Sequence, residues 1–411
     1  MKYILFIGDG MADQAVASLG GKTPLQAVPL PFIDSLAERG EVVAIKNCPP
    51  HLPAGSDTAI LSILGYDPST YYTGRAPLEA AASGILLEDG DVAYRCNLIS
   101  VEEKPGPLSE KIIHSHCGHS VAGEDALEII NALLSHPDFS QKCTELQLTI
   151  HPSPSFRHMT VQKGASLDNI ELAPPHDHLG ELMADILPKG NQTAAQLLEL
   201  MELGHEILTS HPLTAQRSAQ GKPTVNGIWL WAEGTGVSLP SFEERFGHTG
   251  AMISAVPLCH GIARLIGLDV LMVEGATGEL DTNYQGKVDA ALQALETHDF
   301  VAIHVEAPDE CTHAGNLEEK LEAISFLESK VMSPLVQQLK NDDFRLIFLS
   351  DHRTLISTRG HDHGYVPCLV YQNNRDLKSN STFDEITALQ GRTFENGHET
   401  CMPLLFDTPL N

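Results

Sequence analysis

The chain has 411 residues and a mass of 44.5 kDa, enough for two or three domains, or for one large α/β core that carries an insertion. Its 26 Lys and Arg residues against 54 Asp and Glu residues give a formal net charge of −28. This charge argues against a general nucleic-acid binder and against a protein that docks on anionic lipid, because both need a basic face.

The first predicted element is a strand at residues 3–7, an apolar run that Gly8-Asp9-Gly10 interrupts. The run is too short for the apolar region of a signal peptide, and no stretch of the chain approaches the roughly 20 apolar residues of a membrane span. The eight cysteines are scattered, without a Cys-x-x-Cys pair, which is typical of reduced thiols. We therefore expect a cytoplasmic protein that does not bind membranes.

Strands and helices then alternate through most of the chain. Apolar runs predict further strands, and apolar spacing at three and four residues predicts helices. The strands are expected at residues 227–231, 268–273, 300–305, 346–349 and 366–371, and the helices at residues 25–39, 288–295 and 317–340. This alternation predicts an α/β fold with a doubly wound, mostly parallel sheet.

The middle of the chain has a different pattern. Residues 101–215 are rich in His and Pro and contain two helical stretches, at 123–134 and 193–208, with one strand candidate at 146–150. We expect this segment to form an inserted α+β cap domain for substrate. Residues 1–100 and 216–411 would form the core.

Acidic and histidine residues follow several of the predicted core strands. A single Asp in such a place is more often a helix cap or a turn residue. Several of them at the strand ends of one α/β core instead favour a shared site for Zn²⁺ or Mn²⁺, since Asp and His supply the ligands that these ions prefer. The candidates are Asp9, Asp309, His313, Asp351, His352 and His361.

Ser56 lies in Gly55-Ser56-Asp57-Thr58, at the start of an apolar helix. One interpretation is a helix N-cap with an acidic first turn. The other is a serine nucleophile at a helix N-terminus, where free amides favour an anion. The sequence has no Gly-x-Ser-x-Gly motif, which disfavours a hydrolase triad.

Cations are scarce, so an arginine in a turn is a candidate anion ligand. Arg75, Arg95 and the pair Arg157-His158 are such candidates. A surface ion pair with an acidic residue is the alternative for each arginine. No phosphate-binding loop of the Walker or dinucleotide-binding type is present.

Several motifs together resemble the archaeal-type cofactor-independent phosphoglycerate mutases of the alkaline phosphatase superfamily. They keep their order between residues 3 and about 371. They are Asp9-Gly10-Met11, Gly20-Gly21-Lys22-Thr23-Pro24-Leu25, Gly55-Ser56-Asp57-Thr58-Ala59, Leu64-Gly65-Tyr66-Asp67-Pro68, Tyr72-Thr73-Gly74-Arg75-Ala76-Pro77, Glu274-Gly275-Ala276-Thr277-Gly278, Asp309 with His313, and Ser350-Asp351-His352.

The resemblance implies a glycolytic isomerase that moves a phosphoryl group between the 2- and 3-hydroxyls of glycerate through a phosphoserine, without 2,3-bisphosphoglycerate. It implies two divalent metal ions, Mn²⁺ or Zn²⁺ and possibly Mg²⁺, and a small phosphorylated metabolite as substrate. One metal would be held by Asp9, Ser56, Asp351 and His352, with Ser56 phosphorylated, and the other by Asp309, His313 and His361. Substrate would be bound by Arg75, Arg95, Arg157, His158, Arg353 and His363.

Some positions depart from the pattern of this family. Gly247-His248-Thr249-Gly250 occupies a stretch where relatives carry a lysine, Arg353 follows the Asp-His pair, and His363 competes with His361 as a ligand. The bacterial branch includes proposed homoserine kinases. A related phosphotransferase or phosphohydrolase with another phosphorylated or phosphonylated substrate is therefore an alternative, and a metal-binding homologue without activity is a second. These departures predict weaker phosphoglycerate interconversion than in a lysine-bearing relative.

Overall fold

The structure, a computed structural model, describes residues 1–379 and 381–407. The chain forms two compact units. The first consists of Met1–Tyr72 together with Leu239–Asn411, and the second, Thr73–Ser238, is inserted in the sequence between these two segments. The inserted unit extends further at both ends than the predicted 101–215. Within the described ranges, no helix combines the length and the apolar character that a membrane span requires.

The strands are numbered in chain order. They are β1 (Lys2–Gly8), β2 (Glu41–Ile45), β3 (Asp91–Val101), β4 (Ile113–Ser115), β5 (Leu148–His151), β6 (Arg157–Lys163), β7 (Gly227–Thr235), β8 (Gly250–Ile253), β9 (Asp269–Leu271), β10 (Phe300–Val305), β11 (Phe344–Leu349), β12 (Arg353–Leu355), β13 (Gly360–Asp362), β14 (Val366–Gln372) and β15 (Thr393–Phe394).

The helices follow the same numbering. They are α1 (Pro24–Ala27), α2 (Pro31–Arg39), α3 (Ser56–Ile63), α4 (Pro68–Tyr71), α5 (Arg75–Ala82), α6 (Glu124–Leu134), α7 (Pro137–Glu145), α8 (Met183–Ile186), α9 (Gln192–Ser210), α10 (Pro212–Ala219), α11 (Phe242–Phe246), α12 (Pro257–Leu265), α13 (Tyr284–Ala294), α14 (Ala307–His313), α15 (Leu317–Phe326), α16 (Ser333–Gln338), α17 (Glu385–Gln390) and α18 (Gly397–Phe406).

The first unit is built on an eight-stranded sheet with the order β15-β2-β14-β11-β1-β10-β8-β9. Strands β11, β1, β10, β8 and β9 are parallel neighbours, and β14 is antiparallel to both β11 and β2. Residues 4–7 of β1 are fully buried, as expected for a central strand covered on both faces. The prediction of an α/β fold with a mostly parallel sheet is confirmed.

Two predicted helices are interrupted. The segment 25–39 forms α1 and α2, because Pro29 and Pro31 lack the amide hydrogens that a continuous helix needs. The segment 317–340 forms α15 and α16 with a π-helical stretch, Leu327–Met332, between them. Ile324, Leu327, Val331 and Leu335 of this segment lie in the apolar core, which agrees with the predicted periodicity although the helix is not regular throughout.

The second unit contains an antiparallel sheet with the order β4-β3-β6-β5, and β7 pairs along the other side of β3. Its own apolar core includes the fully buried Trp229 and the helices α6 and α9. Strands β3 and β7 pair with each other, which is why this unit reaches beyond both predicted boundaries.

Candidate metal centre

Three parallel strands bring the predicted acidic and histidine residues to one edge of the sheet in the first unit. Ile7 of β1 is in register with His304 of β10 and with Leu349 of β11, so the three strands end together. Asp9 directly follows β1, and one residue, Ser350, separates Asp351 from the end of β11. Ligand sites in open α/β sheets lie at such carboxyl ends.

The first cluster consists of Asp9, Asp351 and His352, all buried. His352 Nε2 lies 3.1 Å from Asp351 Oδ2 and 3.6 Å from Asp9 Oδ1. Burial and the neighbouring Asp351 carboxylate raise the pKa of Asp9, and burial lowers the pKa of His352. Two carboxylates packed this closely out of water can both stay ionised only beside a positive partner.

The hydrogen bonds around His352 show which ring nitrogen carries the proton. They leave Nε2 with a free lone pair that can bind a cation. Thr354 Oγ1 donates its only proton to Asp309 Oδ1 at 2.6 Å, so it accepts from His352 Nδ1 at 3.1 Å. The neutral ring then has an unprotonated Nε2 facing the two carboxylates. Asp9 Oδ1 and Asp351 Oδ2 are buried and have no hydrogen-bond partner among the described residues. This donor set fits a divalent cation.

The second cluster consists of Asp309, His313 and His361. His313 Nδ1 faces the carbonyl of Arg359 at 2.9 Å, and His361 Nδ1 faces that of Ala54 at 3.1 Å. Each ring therefore donates through Nδ1 and turns Nε2 inward, where the two Nε2 atoms are 3.0 Å apart. Lone pairs that converge in this way fit a second cation.

Asp309 and His313 are spaced by four residues on α14, and the helix places both on one face, with His313 Nε2 3.0 Å from Asp309 Oδ2. The Asp309 carboxylate raises the pKa of His313 to about 9. A positive charge is thus favoured at this position, whether it comes from a proton or from a metal ion.

Ser56 is the first residue of α3, and Gly55 is the N-cap, so the serine side chain does not cap the helix. Its Oγ lies 3.3 Å from Asp9 Oδ2 and 3.2 Å from His352 Nε2. The hydroxyl therefore borders the first cluster at a helix N-terminus, where amide groups favour an anion. This placement favours the nucleophile interpretation over the cap.

His304 was not among the predicted site residues, because inside an apolar strand it resembles a core residue. Burial lowers its pKa to about 4, so the ring is neutral. Ser254 Oγ lies 3.0 Å from Nδ1, and Nε2 donates to Asp9 Oδ2 at 2.9 Å. This bond orients Asp9 so that Oδ1 faces the first cluster.

Lys287 was also missed. It lies on α13, is fully buried, and donates from Nζ to the carbonyl of His304 at 2.9 Å. Burial lowers its pKa to about 8 and raises that of Glu306, which follows β10, to about 7. A buried lysine therefore borders the strand ends that carry the metal clusters.

The stretch around Thr249, where relatives carry a lysine, lies away from the metal clusters. The carbonyl of Thr249 accepts from the amide of Phe300, which begins β10, whereas the metal clusters lie beyond the opposite end of that strand. His248 packs against Tyr3 and Phe406 on the same remote side. A residue there does not reach the metal centre, so the missing lysine by itself gives no reason to expect altered substrate contacts. The weaker interconversion stays a prediction.

Two of the predicted substrate ligands have other partners. Arg353 forms a bidentate ion pair with Asp362, with both N–O distances 2.6 Å, so its charge is neutralised. His363 Nε2 donates to the carbonyl of Leu52 at 2.8 Å and lies outside both clusters.

We expect the His361→Ala variant to lose about one metal ion per chain and the His363→Ala variant to retain both, because only His361 directs a lone pair into a cluster. Elemental analysis after dialysis against metal-free buffer measures this. Metal loss in His363→Ala with full retention in His361→Ala would reverse the assignment.

Thr354 links the two clusters through a single hydroxyl, which accepts from His352 and donates to Asp309. The Thr354→Val variant keeps the shape of the side chain and removes both bonds. Metal affinity should fall by about 10- to 100-fold, as is typical when a bond that orients a ligand is lost. Competition with a chelator dye measures it, and the exposed Thr358→Val in the same hairpin is the control. Unchanged affinity in Thr354→Val would show that the hydroxyl does not orient the ligands.

Two arginines bind one carboxylate in the second unit, and a third arginine, Arg157, lies near them. Arg95 binds Glu79 through two nitrogens, one of them Nε at 2.8 Å, and Arg75 Nε lies 3.4 Å from the same carboxylate. The guanidinium of Arg157 is 6.0 Å from the Trp231 ring centre, and its buried Nε has no hydrogen-bond partner among residues 1–379 and 381–407. Burial and the nearby Arg95 lower the pKa of Arg157. The cluster carries excess positive charge that an anion would balance.

His158, predicted beside Arg157 as a substrate ligand, is instead fully buried in the core of the second unit. Its Nδ1 accepts from the amide of Ser153 at 3.0 Å, and burial lowers its pKa to about 4. The ring points to the opposite face of β6 from Arg157, because neighbouring residues of a strand alternate. We therefore assign His158 to the core.

Comparison with known proteins places these features in a family. The model of a family described as 2,3-bisphosphoglycerate-independent phosphoglycerate mutase matches residues 37–214. A protein of Geobacter sulfurreducens named probable 2,3-bisphosphoglycerate-independent phosphoglycerate mutase is 40% identical over 403 residues, which cover 97% of this chain and 98% of that protein. A protein of Methanosarcina barkeri named 2,3-bisphosphoglycerate-independent phosphoglycerate mutase is 41% identical over 394 residues, which cover 95% of this chain and 96% of that protein.

Two solved structures have the same fold. A protein from Pyrococcus horikoshii is 26% identical with a TM-score of 0.79, covering 99% of this chain and 97% of that one. A cofactor-independent phosphoglycerate mutase from Thermoplasma acidophilum is 24% identical with a TM-score of 0.67, covering 99% of both chains.

Proposed function

This chain belongs to the family of 2,3-bisphosphoglycerate-independent phosphoglycerate mutases, and we propose that it interconverts 2-phosphoglycerate and 3-phosphoglycerate through a phosphoserine at Ser56. The observation that carries the proposal is the position of Ser56 Oγ, at a helix N-terminus and within 3.3 Å of Asp9 and His352. A hydroxyl that serves only the fold would not need to border a cluster in which two buried carboxylates each keep one oxygen without a hydrogen-bond partner among the described residues.

The reaction divides one difficult displacement into two. Ser56 Oγ bonds to phosphorus while the bond between phosphorus and one glycerate oxygen breaks, and the proton lost from Ser56 is returned to the released hydroxyl. The other glycerate hydroxyl then attacks the phosphoserine, and Ser56 regains a proton. Atoms and charge balance over the cycle, so no second phosphorylated compound is consumed.

The chain's own residues prepare this chemistry. Asp9, Asp351 and His352 would hold one divalent cation together with Ser56, and Asp309, His313 and His361 would hold another. The mixture of carboxylate and imidazole ligands is suited to Mn²⁺ or Zn²⁺. Bound cations there would lower the pKa of the serine hydroxyl and neutralise charge on the phosphoryl group. His304 holds Asp9 in the orientation that this requires.

The arginine cluster of the second unit is proposed to contribute affinity for an anionic group of the substrate. Arg157 is its best candidate, because its buried Nε has no partner and Arg95 is engaged by Glu79. Arg157→Gln should raise KM for phosphoglycerate by about 10- to 100-fold, as for loss of a charge-assisted bond. Steady-state kinetics measure this, with Lys142→Gln as the control, since Lys142 is a half-buried lysine of the same unit that pairs with Glu199. An unchanged KM would exclude Arg157 from substrate binding.

The proposed activity is tested with purified protein that is loaded with Mn²⁺ and given 3-phosphoglycerate without 2,3-bisphosphoglycerate. ³¹P NMR should show the 2-phosphoglycerate signal growing to a constant ratio with no inorganic phosphate. Release of inorganic phosphate instead would identify a phosphohydrolase, and no change in a protein of full metal content would exclude the mutase. We also propose a cytoplasmic location, where such substrates are found.

A further inference from the structure

A cavity of about 430 Å³ lies in the first unit, at the edge of the sheet opposite to the metal clusters. Arg345, the second residue of β11, lines it, whereas the metal ligands Asp351 and His352 follow the last residue of the same strand. The cavity and the metal clusters are therefore separated by the length of a strand, about 15 to 20 Å. A cavity of this volume suits a small molecule.

Four arginines line this cavity in a chain that has only 26 basic residues in all. They come from separate parts of the sequence: Arg39 ends α2, Arg345 is in β11, Arg375 follows β14, and Arg392 precedes β15. Two carboxylates, those of Glu41 and Asp407, also line it. The lining therefore carries more positive than negative charge, against the strongly negative balance of the chain.

The two carboxylates do not satisfy all four guanidinium groups. Glu41 is occupied by Arg392 in a bidentate pair with both distances 2.7 Å. Asp407 lies 2.9 Å from Arg345 Nη1, but the buried Nε of Arg345 has no hydrogen-bond partner among the described residues. Arg345 itself is only 8% exposed. A buried guanidinium with an unused donor is costly unless a ligand can satisfy it.

Arg39 and Arg375 have no carboxylate partner within residues 1–379 and 381–407. Arg39 donates to the carbonyl of Asn373 at 2.9 Å and lies 5.3 Å from the centre of the Tyr371 ring, which holds its guanidinium at the cavity. Arg375 is exposed, and its side chain forms no ion pair with a described residue. Both guanidinium groups can present parallel N–H donors to a phosphate or a carboxylate.

We propose that this cavity is a second anion-binding site, distinct from the metal centre, for a small molecule that carries phosphoryl or carboxylate groups. The guanidinium groups of Arg39 and Arg375, which no carboxylate neutralises among the described residues, bind the anion. Arg345 supplies a buried positive charge in the cavity wall. The site does not depend on the mutase chemistry, because none of its residues contacts either metal cluster.

The test uses full-length holoenzyme and calorimetric titration with inorganic phosphate and, separately, with succinate. Arg39→Gln and Arg375→Gln should each weaken one binding event at least about tenfold, while leaving steady-state turnover unchanged. Lys189→Gln, an exposed residue of the second unit, removes the same charge and should leave both isotherms within about twofold. Phosphate bound at the metal centre is common to all variants and cancels in the comparison.

The probe whose binding is weakened in the arginine variants identifies the chemical class of the ligand. Weaker binding of phosphate alone indicates a phosphoryl ligand, and weaker binding of succinate alone indicates a carboxylate ligand. Isotherms of wild type, Arg39→Gln and Arg375→Gln that superimpose for both probes would overturn the proposal. Since both replaced residues are exposed, the variants should fold, and a melting temperature equal to that of wild type checks this. Absence of mutase activity would leave the binding result unchanged, so the two proposals fail separately.

Discussion

The Ser56→Ala variant should lose phosphoryl transfer, with kcat reduced by at least about 10⁴-fold, because the group that forms the covalent intermediate is absent. The fold should be retained. Ser56 is the first residue of α3 and not its N-cap, so alanine breaks no capping bond and is a good helix former. Steady-state kinetics with metal-loaded protein measure the loss.

A matched control separates the loss of the nucleophile from other effects. Ser69→Ala changes the same residue type in the nearby helix α4, where the side chain is exposed, and should leave turnover within about twofold. Metal content in Ser56→Ala should remain, because Asp9, Asp351 and His352 are unchanged. If Ser56→Ala turned over at a near-normal rate, the reaction would have to proceed by direct attack of water or of substrate.

The second large effect is expected for Asp351→Asn, with kcat/KM reduced by roughly 10³-fold and the affinity for metal weakened with it. Asp351 Oδ1 accepts from the amides of Gly10 and His352, and an asparagine oxygen can keep both bonds. The amide nitrogen then replaces Oδ2, the atom that faces His352 and has no hydrogen-bond partner among the described residues. The variant removes one ligand charge at nearly constant shape.

If the reaction depends on metal, the metal content of the protein and its turnover must change together. Chelation of the wild type should abolish turnover, and Mn²⁺ should restore it in the wild type but only weakly in Asp351→Asn. Asp289→Asn, an exposed change on α13, is the control for the lost charge. Full activity in an exhaustively chelated wild type, with no metal by elemental analysis, would contradict a metal-dependent reaction.

The strand ends could be predicted from sequence because their signal is local. A continuous apolar run is typical of a central strand that is buried on both faces. The polar residue that follows the run must then lie at the carboxyl end of that strand, where α/β proteins bind ligands. Asp9 and Asp351 were predicted in this way. His313 and His361 depended on a helical spacing and on the family resemblance, and the structure places both in one cluster.

Other parts of the site depend on contacts that no local pattern encodes. His304 becomes a partner of Asp9 only through the register of β10 against β1. Lys287 has the spacing of an ordinary helix residue, and its burial follows from the packing of α13 near the end of β10. The distance of Thr249 from the metal clusters was also not predictable, because a one-dimensional comparison does not show at which end of a strand a residue lies.

The bounds of the second unit differ from the predicted 101–215 for a similar reason. Strand β3 mixes polar and apolar residues without a regular alternation and is buried along its whole length. Its place in the second unit is decided by pairing with β7, which lies more than a hundred residues later in the chain. Long-range antiparallel pairing of this kind leaves little trace in local sequence.

The most direct test of the phosphoserine is to find it. Metal-loaded wild-type protein is mixed with 2-phosphoglycerate, quenched in acid within one turnover, digested and analysed by mass spectrometry. The account predicts that the peptide containing Ser56 gains the mass of one HPO₃ group, that fragmentation places this mass on Ser56, and that the Asp351→Asn variant shows far less of it. Continued interconversion with phosphate on a different residue, or on none, would contradict the account.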